Sequence, residues 1–310
     1  MIVITGAAGY IGSHAAAALA ERASPLRVLV RPTTEPEALA FLQELGAEIV
    51  LDRADDPRAV ERACAGCRAV LHCIGGIQPP RPGDFHSLHE GPAEALAKAA
   101  QATGLERIVL VSAIGATHGA DNAYHLSKAR AEAILRASGR TTIVVRPSLV
   151  YGRAGGLKDS KLMARLAARL RGGLPLPLPG GGRSLIQPLF VGDLARALAL
   201  SAAEGVGEVD RPVLLGGPER MTLRAWVERL GEVLGVRPRI VPLPRVAAVA
   251  LAAVAERVAS DPSITVDQVR VMSHNFVAPI DGFEATYGFA PVAPAEGLER
   301  TYKAAPDEDA

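Results

Sequence analysis

Ile2-Val3-Ile4-Thr5-Gly6-Ala7-Ala8-Gly9-Tyr10-Ile11-Gly12 joins a short β-branched run to an Ala-rich stretch of helical period through a turn that holds three glycines. This spacing fits a strand that passes directly into a helix. Gly6 permits the tight turn, Gly9 lets backbone approach an anion, and Gly12 lets the helix pack closely on the strand. The free N–H groups and the positive dipole end of such a helix would receive a phosphate, with Ala8, Tyr10 and Ile11 completing the cradle. A Gly-rich turn can also be merely structural, so its weight depends on the elements that succeed it in the chain.

Those elements alternate. Strands are predicted over 2–5, 27–30, 48–51, 69–73, 107–112 and 141–146, and helices over 11–22, 37–45, 57–64, 85–103 and 123–138. The strands are continuous apolar runs, as expected when helices cover both faces of a parallel sheet. The fold class is therefore α/β, a doubly wound parallel (Rossmann) sheet over residues 1–150. Beyond Pro147 the segments 152–156 and 174–182 are dense in Gly and Pro. Helices remain legible at 160–171, 191–203, 222–234 and 246–258, with extended pieces at 212–215 and 239–241. We read 151–305 as a smaller, more helical substrate lobe with interleaved contributions, and 306–310 as a frayed acidic tail.

Composition excludes several classes. The 310 residues carry 34 Lys+Arg against 33 Asp+Glu, a net charge of +1 that offers no field to a polyanion, so nucleic acid is not an expected partner. Three cysteines, Cys64, Cys67 and Cys73, make a poor disulfide framework and suit a reducing compartment; with no leader read after Met1, the expected location is the cytoplasm. The apolar run 246–255 is too short to span a bilayer, which leaves peripheral contact with a membrane open. Cys64-Ala65-Gly66-Cys67 has no second pair, so no metal site is expected. His72 reads as a core residue. His86, His89, His118 and His125 read as surface residues or as a pocket mouth, Asp193 as a helix cap, and Trp226 as core with Leu223 and Leu230.

Two positions bear on chemistry. Arg31 ends the second strand, where an acidic residue would accept hydrogen bonds from a ribose; an arginine can instead clamp a 2'-phosphate, with Thr33 and Thr34 nearby. This favours NADP(H), with NAD(H) as the alternative, and Asp52 after the third strand could meet the adenine edge. Tyr124 and Lys128 lie four apart at the start of a predicted helix, on one face. A neighbouring ammonium would lower the phenol pKa and make Tyr124 an acid or base near neutrality.

At this point the chain resembles the short-chain dehydrogenase/reductase superfamily, in its extended and atypical branches. The matching stretches are Thr5 to Gly12, Val111-Ser112-Ala113, Tyr124 with Lys128, Arg146-Pro147-Ser148-Leu149-Val150-Tyr151-Gly152, Gln187-Pro188-Leu189-Phe190-Val191-Gly192-Asp193-Leu194-Ala195 and Leu214-Leu215-Gly216-Gly217-Pro218. Within it, Val111 to Ala116, Pro179 to Gly182 with Gln187-Pro188, and Thr265 to Val269 look like the subgroup of the nucleotide-binding accessory subunit of respiratory complex I and its bacterial relatives. The resemblance implies an NADP(H)-dependent oxidoreductase acting on a carbonyl or alcohol of a small, quinone-like or lipid-like substrate. Tyr124 would be the acid/base, Lys128 would hold the nicotinamide ribose, and Pro147 with Ser148 would border the nicotinamide. Ser112 would polarise the carbonyl, although Ala113 stands where a second hydroxyl is usual and Leu88-His89-Glu90-Gly91 where an Asn is common. Two alternatives remain at this stage, an NADPH-binding accessory or sensor protein with little turnover and a nucleotide-sugar epimerase or dehydratase.

Overall fold

Along the first strand Ile2 and Ile4 belong to one buried apolar cluster and Val3 to another, so the strand is covered on both faces. That arrangement is why its sequence is apolar without alternation. The computed structural model describes residues 1–303 apart from 78, 80–83, 157–159, 209 and 260–263. In chain order the first half runs β1 (Ile2–Thr5), α1 (Tyr10–Glu21), β2 (Leu26–Val30), α2 (Pro36–Glu44), β3 (Glu48–Leu51) and α3 (Pro57–Cys64). It continues with β4 (Ala69–His72), α4 (Gly91–Thr103), β5 (Arg107–Val111), α5 (Ala123–Arg136) and β6 (Thr141–Pro147). The second half contains β7 (Val150–Tyr151), α6 (Lys161–Arg171), β8 (Leu176–Pro179), β9 (Leu185–Ile186), β10 (Leu189–Phe190), α7 (Val191–Glu204) and β11 (Val213–Leu215). It closes with β12 (Met221–Thr222), α8 (Leu223–Leu234), β13 (Ile240–Leu243), α9 (Arg245–Val258), α10 (Val266–Met272), α11 (Gly282–Tyr287) and α12 (Pro294–Tyr302).

Seven strands form one parallel sheet in the order β11-β6-β5-β4-β1-β2-β3. Residues of α1, α2 and α7 pack on one face, and residues of α3, α4 and α5 on the other. Each fully buried Val, Leu or Ile side chain contributes about 1.5–3 kcal/mol, so this double layer dominates the stability. The strand order reverses between β1 and β4, and a ligand crevice opens outside the carboxyl ends at such a point.

Two details differ from the expectations. The helix expected over 85–103 is broken: His86–Glu90 forms a π-helical turn, and Gly91 with Pro92 restarts the chain as α4. The second half contributes to the sheet layer itself, as α7 packs against α1 and β11 adds the seventh strand beside β6. Asp193 does not cap α7; its carboxylate lies in the first turn and accepts the Val292 N–H at 2.7 Å. Trp226 is fully buried with Leu230, as its helical spacing predicts. The tail 306–310 lies outside the described residues.

Candidate functional site

The turn after β1 is built for an anion. Gly6 adopts φ +80°, and a Cβ there would stand 3.0 Å from the backbone of Cys73 and Ile74, so the turn rests on the end of β4. A Cβ at Gly12 would come within 2.2 Å of the Gly6 carbonyl oxygen, which only a glycine avoids. Gly9 is the N-cap of α1, where there is no side-chain cap and no acidic residue in the first turn. By contrast the N-cap side chains of α3, α5, α6, α8 and α10 each accept a backbone N–H of their own helix. Like α2, α4, α7, α9, α11 and α12, α1 has no side-chain cap; its first N–H groups, beside a turn shaped by glycines, would suit a pyrophosphate. The Tyr10 hydroxyl donates to Gly152 O at 2.8 Å, so this residue ties the cradle to the segment after β7. Ala8 and Ile11 are half-buried beside it.

Arg31 follows β2, is exposed, and has no side-chain partner among the described residues. Asp52 follows β3. Its carboxylate accepts the Arg53 N–H at 2.8 Å and pairs with Arg62 at 2.6 Å, which commits much of its accepting capacity to its own loop.

On the other side of the switch point stands α5. Asn122 caps it by accepting the His125 N–H at 2.9 Å. Lys128 is buried, and its Nζ donates to Val111 O at 3.1 Å and Ile74 O at 3.3 Å, the ends of β5 and β4. Its third N–H has no partner among the described residues. A Cβ on Gly75 would lie 2.4 Å from that ammonium, so glycine is needed there for the lysine to reach its place. Burial pushes Lys128 down to about 8. The Tyr124 ring is enclosed by Phe85, His89 and His125, at centroid distances of 6.2, 5.8 and 5.0 Å. Burial pushes its phenol up to about 12. The lowered phenol expected from the Lys128 spacing is therefore corrected: burial alone sets the direction of the shift, and Tyr124 keeps its proton. Its hydroxyl has no partner among the described residues.

Ser112 is not aimed at that ring. Its hydroxyl donates to Glu132, two turns along α5 from Tyr124, and Glu132 in turn accepts Arg146 Nε at 2.8 Å and Nη2 at 2.6 Å. The carbonyl-polarising role expected of Ser112 is not what this hydrogen bond supports. Pro147 is buried and accepts the Ile114 N–H at 3.1 Å. The Ser148 hydroxyl donates to Phe276 O at 3.0 Å and accepts the Gln187 N–H at 3.3 Å, so its side chain braces three segments.

His89 and His125 are buried, not surface residues. His89 accepts the Gly76 N–H at 3.2 Å and bonds Ser127 Oγ at 2.8 Å, while that hydroxyl donates to Tyr124 O at 2.8 Å. This pattern places the imidazole proton on Nδ1. His72 bonds Thr5 Oγ1 at 2.7 Å inside the sheet, as a core histidine does. The aromatic wall of Phe85, His89, His125 and Phe276 was missed in the sequence, as was the Glu132–Arg146 pair. Glu132 carried one signal: it repeats the four-residue spacing of Tyr124 and Lys128.

Residues 6–161 match the model of a family described as NAD(P)H-binding. Ceramide reductase of Caulobacter vibrioides is 30% identical over 251 residues, covering 79% of this chain and 74% of its own. The mitochondrial NADH dehydrogenase [ubiquinone] 1 alpha subcomplex subunit 9 of Arabidopsis thaliana is 28% identical over 256 residues, 81% of this chain and 62% of that longer one. A 4-hydroxy-2-methyl-3-oxo-4-farnesyl-3,4-dihydroquinoline-1-oxide ketoreductase of Stigmatella aurantiaca is 27% identical over 274 residues, 82% and 79% of the two chains. Among solved structures, a dTDP-glucose 4,6-dehydratase of Streptomyces venezuelae with NAD bound superposes with a TM-score of 0.75 at 21% identity, covering 98% of this chain and 96% of that one. The fold and these likenesses agree: the chain belongs to the NAD(P)H-binding family and is an NAD(P)-dependent oxidoreductase.

Proposed function

We propose that the protein reduces the carbonyl of an apolar, lipid-like or quinone-like small molecule, with NADPH as the preferred cofactor and Tyr124 as the proton donor. One observation carries the reading. Ile74 and Gly75 form a wall shared by the Gly6 turn and the Lys128 ammonium, so the anion cradle and the Tyr124 helix open onto the same crevice. When bound there, the nicotinamide cofactor supplies the hydride. Lys128, fixed by two strand-end carbonyls, keeps one donor for a ribose hydroxyl and remains a cation up to about pH 8. Tyr124 holds its proton through neutrality and delivers it to the carbonyl oxygen, which suits reduction better than oxidation. The rings of Phe85, His89 and His125 flank it, and Phe276 packs behind His125.

The exposed, unpartnered guanidinium of Arg31 supports the preference for NADPH, as it can form charge-assisted bonds to a 2'-phosphate. Residues 1–150 would hold the cofactor, with Asp52 at the adenine edge and Pro147 at the nicotinamide, and 151–305 would shape the substrate side. The substrate class is supported by the names of the Caulobacter and Stigmatella relatives, a ceramide reductase and a farnesyl-bearing ketoreductase. Three free cysteines are in keeping with a reducing compartment such as the cytoplasm. A second reading, a nucleotide-holding subunit with slow turnover, is favoured by the commitment of the Ser112 hydroxyl to Glu132.

Tyr124→Phe separates the two. It should lower kcat for NADPH-dependent ketone reduction by at least about 100-fold while leaving NADPH affinity within about twofold. Turnover equal to that of the unsubstituted protein would sink the mechanism.

A further inference from the structure

The apolar surface left uncovered in this molecule concentrates on α9. Val246 and Val258 are 83% exposed, Leu251 59% and Val254 56%, and the strand leading into the helix exposes Val241 to 45%. At 3.6 residues per turn, positions 246, 250, 254 and 258 form one stripe with Leu251 at its side. Only Ala248 and Ala252 of the helix are buried, in a small cluster with Val269 of α10. Side chains this apolar and this exposed, continuous along a whole helix, mark a surface that meets something.

The charge around the stripe says what. Arg245 and Arg257 of α9 are exposed, and neither has an ion-pair partner among the described residues. The one acid within that segment, Glu256, accepts the Val266 N–H at 3.0 Å, its bond directed to α10. An apolar stripe rimmed by unpaired arginines complements a surface that is apolar inside and anionic at its edge. A second copy of the chain fits poorly, because a two-fold contact would set one arginine rim against another. No helix among the described residues is long and apolar enough to cross a membrane. A 14-residue helix, about 21 Å long, can lie flat in the interface.

We propose that α9 docks on an anionic lipid bilayer, with Val246, Leu251, Val254 and Val258 in the headgroup and acyl boundary and Arg245 and Arg257 on lipid phosphates. The docked helix is linked to the crevice. Asp267 of α10 accepts the Ala123 N–H at 3.0 Å, the residue before Tyr124, and Arg270 donates to Asp121 O at 3.0 Å. A membrane-dissolved carbonyl compound would thereby meet the crevice near the bilayer; that consequence rests on the proposed reduction, whereas the docking itself does not.

The test is flotation of the purified full chain with phosphatidylcholine vesicles, with and without a third of phosphatidylglycerol. The protein should float with the anionic vesicles. Arg245→Gln with Arg257→Gln should weaken partitioning about 30-fold. Val246→Ser, Leu251→Ser, Val254→Ser and Val258→Ser together should abolish it. Both variants should keep the parent melting temperature, since the side chains changed are exposed, and should reduce a short water-soluble ketone as the parent does. Failure of the parent to float, or equal flotation of parent and variants, overturns the proposal. A dimer in solution that the serine variant dissociates, without flotation, would put a second copy on this face instead.

Discussion

Replacing Ser112 with Ala distinguishes a catalytic hydroxyl from a bracing one. The Ser112 hydroxyl donates to Glu132, which is 5% exposed and keeps both Arg146 bonds when the serine is gone. What is lost is one hydrogen bond to a charged acceptor, about 1.5–3 kcal/mol of stability. In a chain of 310 residues that corresponds to a fall in Tm of about 2–5 °C. No group near the Tyr124 hydroxyl is removed, so kcat should stay within about threefold. Had Ser112 polarised the carbonyl, losing it would cost about 100- to 1000-fold in kcat. Thermal melting and steady-state NADPH oxidation with a long-chain ketone read the two quantities separately. A hundredfold loss of kcat at unchanged Tm would refute the placement of the hydroxyl.

Arg31→Ala should weaken NADPH binding about 10- to 100-fold and leave NADH binding within about twofold, as one charged partner of a phosphate is removed; equal losses for both nucleotides in a fluorescence titration would deny Arg31 its role. Gly12→Ala places a Cβ 2.2 Å from Gly6 O, where ordinary contact begins at 3.4 Å, so α1 must move by about an ångström. The expected cost is about 1–3 kcal/mol, with weaker binding of both nucleotides, and an unchanged dissociation constant would contradict the cradle. Burial holds His72 at about 3, His89 at about 2 and His125 at about 4, against 6.5 in an unfolded chain. Below pH 6.5 the unfolded state binds more protons, so stability is complete above that pH and is lost as pH falls, by about 2 kcal/mol per histidine near pH 5. Urea midpoints that coincide at pH 7 and pH 5 would show these rings to be solvated.

The sheet was legible because its central strands are apolar runs covered on both faces; the exposed edge strand β3 and α3 also begin and end where the sequence places them. The second half was less so. β9, β10 and β12 have two residues each and exist only through partners distant in the chain, as Met221 pairs with Ile186 and Ile186 bridges to Phe276. No local period can announce them. The glycine cradle and the Tyr124 and Lys128 spacing were readable because each is a local constraint. The phenol pKa was not, since it depends on how closely Phe85 and His89 approach across a π-helical turn. The direction of Ser112 was hidden for the same reason, its partner lying 20 residues away on another element.

One face of α5 holds these observations together. Tyr124, Lys128 and Glu132 recur at intervals of four and so form a single stripe. A buried ammonium with no counter-charge would lose its proton well below neutrality, yet Lys128 remains a cation to about 8. Two strand-end carbonyls accept its protons, and against the burial that lowers its pKa stand Cys73 and, after it, the Glu132 carboxylate one turn on. Glu132, buried in turn, is matched by Arg146 from the end of β6 and by Ser112 from the end of β5. The ladder therefore alternates in sign from the sheet end upward and stops at Tyr124, which burial keeps neutral. A neutral proton donor above a cation kept charged is the division of labour that carbonyl reduction requires. Glu132, which would touch neither substrate nor cofactor, helps to decide whether that division holds, because without it Lys128 and Arg146 would be two cations beneath the same strand ends.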